Sequence, residues 1–172
     1  MLKSKNITLR APEPSDIDLL YNWENDTDVW RISNTIAPYS KFTIENYIIN
    51  NSQDVFTTQQ VRFMIDTNNH PIATIGTIDL FDFDPLNKRA GIGILIIKQY
   101  REKGYAFETL NIIENYAKNF LNLHQLYCNI LENNIASIKL FEKIGYLKTG
   151  VKKDWLLHDD KWIAELFFQK IL

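Results

Sequence analysis

Apolar and polar positions change period several times along this chain, and each change marks an element. Ile7 to Ala11 alternates apolar and polar residues, the period of a half-buried strand, and Pro12-Glu13-Pro14-Ser15 stops it. Ser15 is placed as the N-cap of a helix whose apolar face is Leu19, Leu20 and Trp23. Asp26 to Ser40 holds no sustained period and reads as loop, and Thr43 to Asn50 reads as a second helix. Strands follow at Gln60 to Ile65 and Ile72 to Leu80, joined across the turn-forming cluster Thr67-Asn68-Asn69-His70. Asp82-Phe83-Asp84-Pro85-Leu86-Asn87 breaks the pattern before a strand at Arg89 to Ile97.

Past that strand the period lengthens. Apolar residues at 106, 110, 113, 117 and 120 form one face of a helix over Phe107 to Phe120. A strand at Gln125 to Leu131, a helix beginning near Asn134, and strands at Tyr146 to Lys152 and Trp162 to Lys170 complete the chain. The last two are joined by the turn His158-Asp159-Asp160-Lys161. The order β-α-α-β-β-β-α-β-α-β-β predicts a mixed sheet with helices on its faces, an α/β three-layer architecture. Without repeats, low-complexity tracts or a linker, residues 1–172 read as a single domain.

Arg101-Glu102-Lys103-Gly104-Tyr105-Ala106 lies between the apolar run Gly91 to Ile97 and the long periodic helix. The first backbone N–H groups of a helix have no intrahelical acceptors and the macrodipole leaves positive charge there, so such a loop is a seat for phosphate. Arg101 and Lys103 add formal charge to it. About thirty residues on, Asn134-Ile135-Ala136-Ser137-Ile138-Lys139-Leu140-Phe141-Glu142-Lys143-Ile144-Gly145-Tyr146 forms an N-x-x-S-x-x-L-F-E-K-x-G-Y run. Both elements, in this order and at this separation, resemble the GCN5-related N-acetyltransferase (GNAT) family. The likeness extends from Ile7-Thr8-Leu9-Arg10 to Trp162–Leu172 and is nearest the ribosomal-protein and spermidine acetyltransferase branch.

The resemblance implies a mixed, mostly antiparallel central sheet splayed between its fourth and fifth strands, with helices on both faces. It also implies acetyl coenzyme A as cosubstrate and direct acetyl transfer to a primary amine. In the family the splayed fourth strand offers backbone groups to pantetheine and the thioester carbonyl, and the matching positions here are Ile94, Leu95 and Ile96. The Arg101–Ala106 loop becomes the pyrophosphate cradle: Arg101, Glu102, Lys103, Gly104, Tyr105 and Ala106. Asn134 matches a side chain that bonds the pantetheine region, and as an Asn before a helix it equally suits an N-cap. Ser137, Lys139 and Lys143 share its helix, and the two lysines, one turn apart, can reach phosphate or remain solvated.

Phe141 departs from the family pattern, since many members carry a tyrosine there that protonates the departing thiolate. Phenylalanine has no proton to give, so water or a hydroxyl such as that of Tyr100, Tyr105 or Tyr146 is left to do so. Candidate bases are Asp79 and Asp82, with Asp84 and Glu24 as acids for a cationic substrate; each also suits a merely solvated carboxylate. Gly91 and Gly93 mark either close backbone approach or packing accommodation.

Charge sharpens this picture. Residues 13–60 hold eight acids against two bases, a balance of −6, while residues 98–153 hold nine bases against five acids, +4. One block suits a cation and the other a polyanion. The overall charge of −2, with the net-basic block in the cofactor region, argues against nucleic acid. No apolar run approaches a membrane span and residues 1–6 lead straight into a strand, so a cytoplasmic protein without a membrane role is expected. Cys128 stands alone among apolar neighbours and reads as core; His70, His124 and His158 lack metal-ligand spacing, and no metal is expected.

No G-x-G-x-x-G follows the first strand, which sets aside a dinucleotide fold. A polyamine is the favoured acceptor. A protein N-terminus, an amino sugar, an aminoglycoside, or a non-catalytic acyl-CoA-binding module are the other readings. Trp30, Trp155, Trp162 and Phe168 are candidates for a homo-oligomer surface.

Overall fold

A computed structural model describes residues 2–33, 35–50, 55–158 and 160–172. Strands β1 (Ile7–Arg10), β2 (Val61–Thr67), β3 (Thr74–Asp84), β4 (Arg89–Ile96), β5 (Gln125–Leu131), β6 (Leu147–His158) and β7 (Lys161–Ile171) form one sheet, ordered β1-β2-β3-β4-β5-β7-β6. Every pairing is antiparallel except β4 with β5. Helices α1 (Ile17–Glu24), α2 (Thr27–Ser33), α3 (Lys41–Asn50) and α4 (Val55–Thr58) precede β2; α5 (Tyr105–Asn119) links β4 to β5, and α6 (Ile135–Lys143) follows β5.

Alternation along the strands divides the buried side chains between two faces. Phe63, Ile65, Ile92, Leu126, Cys128 and Phe168 pack with Leu110, Ile113 and Ala117 of α5 and Phe141 of α6 in the larger core. Met64, of opposite parity to Phe63 and Ile65, packs with Leu20 of α1 and Ile44 and Ile48 of α3. Helices therefore cover both faces, as the element order predicts.

The elements run close to the expected bounds, with instructive differences. Ser15 is not the cap of α1: Pro14–Asp16 is a short 3-10 turn, and the Asp16 carboxylate accepts the Glu13 N–H at 2.8 Å. Asp16 is buried, and its charge is met by the Arg10 guanidinium through two bonds of 2.6 and 2.9 Å. Within the expected loop 26–40 lies α2. Asp26 supplies its start locally, since its carbonyl accepts the N–H groups of Val29 and Trp30 and its carboxylate that of Asp28. Ser40 caps α3 by accepting the Thr43 N–H at 3.0 Å.

β3 continues through Phe83 to Asp84, where the sequence predicts a break, by absorbing a bulge between Phe81 and Asp84 that leaves Asp82 at φ +49°. α5 starts two residues before the expected Phe107, at Tyr105, because Gly104 adopts φ +85°, a conformation that glycine enters without strain. The β6–β7 hairpin pairs His158 with Lys161, which keeps the expected turn in place; Asp159, like Asp54 of the acidic block and Asn34 of the expected loop, lies outside the described residues.

No helix among the described residues is long and apolar enough to cross a membrane. Phe168, a candidate surface aromatic, is fully buried in the larger core, because Cys128 faces it across β5 and β7. Trp155 and Trp162 are more than half exposed, while Trp30 is half-buried and donates its indole N–H to the Glu24 carbonyl.

Candidate active site

β4 pairs with β3 along Gly91 to Ile96, but with β5 only at Arg89, Ala90 and Gly91, opposite Gln125, Leu126 and Tyr127. Beyond Gly91 the two strands part. The Ile97 N–H donates to the Ile75 carbonyl, so by the alternation of an antiparallel ladder the odd-numbered residues of β4 turn their backbone groups toward β3. Ile92, Ile94 and Ile96 turn theirs into the fork. Of the three expected backbone positions, Ile94 and Ile96 thus face the gap, and Leu95 faces β3. The Ile96 carbonyl is already taken by Arg101 Nε at 2.8 Å, which ties the Arg101–Ala106 loop to the end of the strand.

The fork opens onto the N-terminus of α5. The first bond of that helix runs from the Glu108 N–H to the Gly104 carbonyl, so the N–H groups of Tyr105, Ala106 and Phe107 have no intrahelical acceptor. Arg101, Glu102, Lys103 and Gly104 are exposed around them. Nothing lies within 4 Å of where a Cβ on Gly104 would stand, which leaves room for a bound group. Lys103 Nζ sits 5.2 Å from the Tyr100 ring centroid, and Tyr105 packs at 6.2 Å from Tyr100. From α6, Lys143 Nζ lies 5.0 Å over the Phe107 ring, bringing the second motif against the first turn of α5. Lys139 is exposed on the same helix. Glu108 is turned away to β1, where it accepts the Asn6 backbone and side-chain N–H groups at 3.1 and 3.0 Å.

The backbone edge, the helix terminus and the exposed cations of Lys103, Lys139 and Lys143 fit a ligand with a phosphate end and an amide-bearing arm. Asn134 takes its cap role: its side-chain oxygen accepts the Ser137 N–H at 3.2 Å. Among the described residues no bond is made by its amide nitrogen, a donor that remains open.

Phe141 points into the core, 3% exposed, with its ring edge-on to Tyr146 at 5.0 Å between centroids. Tyr146 is 1% exposed and its hydroxyl is buried on the side of Glu114. Burial, then the Glu114 charge, pushes that hydroxyl far above the ordinary phenol range. Lys170 bonds both the Glu114 carboxylate and the Ile144 carbonyl at 2.6 Å, so this cluster braces α5, β7 and the end of α6. Cys128 is 3% exposed and burial pushes its thiol well up, which leaves no thiolate nucleophile.

The acids separate by environment. Asp79 shares its face with Arg62 and Gly93, its partners across β2 and β4, and with Met64, so it looks toward α1 and α3. There Arg62 donates to Asp79 at 2.6 Å and to Glu24 at 2.5 Å, 5.3 Å from the Tyr47 ring centroid. Burial alone would lower the Arg62 pKa, but the charges of Asp79 and Glu24 hold it well above its ordinary value. Both carboxylates are committed to this internal guanidinium, which no periodicity in the sequence signals. Asp18 and Asp16 of the acidic block are likewise paired, with Lys41 and Arg10.

Asp84 accepts the Asn87 backbone N–H at 2.9 Å and faces Arg89 at 3.2 Å, within the turn after β3. Asp82 is exposed, and its carboxylate accepts the hydroxyl of Tyr127 at 3.1 Å. Tyr127, at the vertex of the fork, carries no sequence signal because its strand reads only as alternating β. The glycines of β4 resolve as packing accommodation in one case: a Cβ on Gly91 would stand 2.3 Å from the Phe81 ring.

Comparison with known proteins fits this geometry. Spermidine N(1)-acetyltransferase of Vibrio cholerae serotype O1 (strain ATCC 39315 / El Tor Inaba N16961) is 24% identical over 147 residues, 86% of this chain and 82% of the relative. The [ribosomal protein uS5]-alanine N-acetyltransferase of Escherichia coli (strain K12) is 31% identical over 71 residues, 41% of this chain and 37% of that one. A crystal structure of spermidine N-acetyltransferase from Vibrio cholerae in complex with CoA and spermine superposes with a TM-score of 0.86 at 20% identity, over 96% of this chain and 95% of that one. The model of the acetyltransferase (GNAT) domain matches residues 6–147, and the chain therefore belongs to the GNAT family of acetyl-CoA-dependent acyltransferases.

Proposed function

We propose that the protein transfers an acetyl group from acetyl-CoA directly to a primary amine, with a polyamine as the favoured acceptor. One observation carries this reading: β4 leaves β5 after Gly91, and the freed backbone of Ile92, Ile94 and Ile96 leads to the uncapped N-terminus of α5. The diphosphate is held by the N–H groups of Tyr105, Ala106 and Phe107 with Arg101, Lys103, Lys139 and Lys143, and Asn134 contacts the pantetheine arm. The cosubstrate supplies an activated acyl group on a thiol leaving group. Backbone N–H groups of β4 facing the fork polarise the acyl carbonyl and stabilise developing negative charge on its oxygen.

The amine must be neutral to attack, and of the candidate bases Asp82 is the one without a cationic partner among the described residues. Asp79 and Glu24 serve instead to hold Arg62 and to fix α1 against the sheet. With Phe141 in the core and no tyrosine in its place, the departing thiolate, already a fair leaving group, is protonated by water. The buried state of Cys128 supports direct transfer over an acyl-enzyme on that residue.

The polyamine preference rests on the relatives' named substrate and on the acidic N-terminal block. The exposed Leu147, Val151, Trp155, Leu157 and Trp162 of the β6–β7 hairpin support a self-associating surface.

The test is thiol release from acetyl-CoA against a panel of polyamines, peptides, amino sugars and aminoglycosides. Spermidine or spermine is expected to promote release far above hydrolysis. Thermal stabilisation by coenzyme A with no amine promoting release would replace the enzyme by a binding module.

A further inference from the structure

The face of the sheet opposite α5 is covered by α1 and α3 only over its first strands, where Met64 lies. Farther across, Phe81, Tyr127 and Phe167 stand in a row on that same face, half-buried and in neither core cluster. Phe81 meets Tyr127 edge-on at 6.2 Å, and Tyr127 stacks on Phe167 at 5.4 Å. The row begins over Gly91, where the absent side chain makes room for the Phe81 ring, and Tyr127 is the β5 partner of Gly91 at the vertex of the fork. Beside it the Tyr127 hydroxyl donates to Asp82, held by the bulge in β3 at φ +49°. The nearby Arg89 is engaged by Asp84, and among the described residues no cation pairs with Asp82 at the rim.

We propose that this row and the Asp82 carboxylate are the subsite that receives the acceptor as its ammonium, the alkyl chain lying against the rings and the charge at Asp82, which then takes the proton that leaves the amine neutral for attack. The inference rests on the acetyltransfer reading above. It moves acceptor recognition away from Glu24 and Asp79, whose charges Arg62 already answers. A row of three half-buried rings beside one carboxylate suits a cation on an aliphatic chain, because aromatic rings attract positive charge and bury methylenes. A neutral sugar amine gains neither contribution in full. Burial, then the Asp82 charge, pushes the Tyr127 hydroxyl up to about 12, so it stays a donor to Asp82 at neutral pH.

The experiment uses the full chain saturated with coenzyme A and measures the further thermal stabilisation given by spermidine, alongside the spermidine and acetyl-CoA KM values. Asp82→Asn and Tyr127→Leu are expected to remove most of the spermidine stabilisation and raise its KM about tenfold, with the acetyl-CoA KM unchanged. Tyr127→Phe, which keeps the ring, loses less than Tyr127→Leu. Should Tyr127→Leu fail to fold, the exposed Asp82→Asn variant carries the test alone. A wild-type spermidine response in Asp82→Asn, or no response in the wild type, overturns the inference. A wild type that coenzyme A itself does not stabilise overturns the acetyltransfer reading instead.

Discussion

Replacing Arg62 by methionine isolates the cluster that the sequence hides. The guanidinium is 17% exposed, Glu24 23% and Asp79 15%, and the three are joined at 2.5 and 2.6 Å. Removing one partner of a buried ion pair costs about 3–5 kcal/mol, because the remaining charge is left uncompensated. The residual exposure of both carboxylates lets water reach them and moves the expectation to the lower end, while loss of the Tyr47 cation–π contact adds about 0.5–1 kcal/mol.

A net loss of about 3.5–4 kcal/mol follows, which in a chain of this length lowers Tm by roughly 7–16 °C. Denaturant unfolding would report it as a lower midpoint at unchanged slope. Arg62→Met combined with Glu24→Met and Asp79→Leu is expected to recover most of the loss, since an apolar replacement of the whole cluster leaves no charge unpaired. A single Arg62→Met within about 1 kcal/mol of wild type, or a triple variant no better than the single one, would refute the reasoning.

Two further outcomes follow from the geometry. Phe141→Tyr adds a hydroxyl at a 3% exposed position packed in the apolar core, so Tm falls by an amount matching about 1–3 kcal/mol. The transfer rate is kept or raised, and a large fall in rate at unchanged coenzyme A affinity would contradict this. For Asp16, burial pushes the carboxyl up, but the bonds from Arg10 and the Glu13 N–H outweigh it and hold the folded value below 3.8. Its stabilisation is thus fully present above that ordinary value and disappears as pH falls through the folded one. Tm measured from neutral pH downward should drop more steeply there for wild type than for Asp16→Asn, and parallel curves would count against it.

Much of the fold was legible because it is local. The strand alternation of Ile7–Arg10, the helical period of α5 and the turn before Lys161 are properties of short segments, and the structure keeps them. The strand–loop–helix geometry around Gly104 was equally local, since it needs only a strand, a glycine able to take φ +85° and a helix start. Differences arose where side chains outside any period set the backbone, as with Asp26 at the start of α2 and Asp16 before α1. The bulge that carries β3 past Phe81 belongs with them, since it depends on pairing with β4.

Chemistry that depends on several segments meeting was not legible. Glu24, Arg62 and Asp79 come from α1, β2 and β3, and their proximity alone decides that two acids are occupied rather than free. Asp82, Tyr127 and Phe167 are distant in sequence, and only strand order and register place them beside one another at the fork. Sequence determined which segments are strands, that a long helix starts just after Gly104, and that position 141 lacks a hydroxyl. Tertiary structure decided which carboxylate keeps its charge available, because that depends on distance to a cation and on burial, and neither is a property of any one segment.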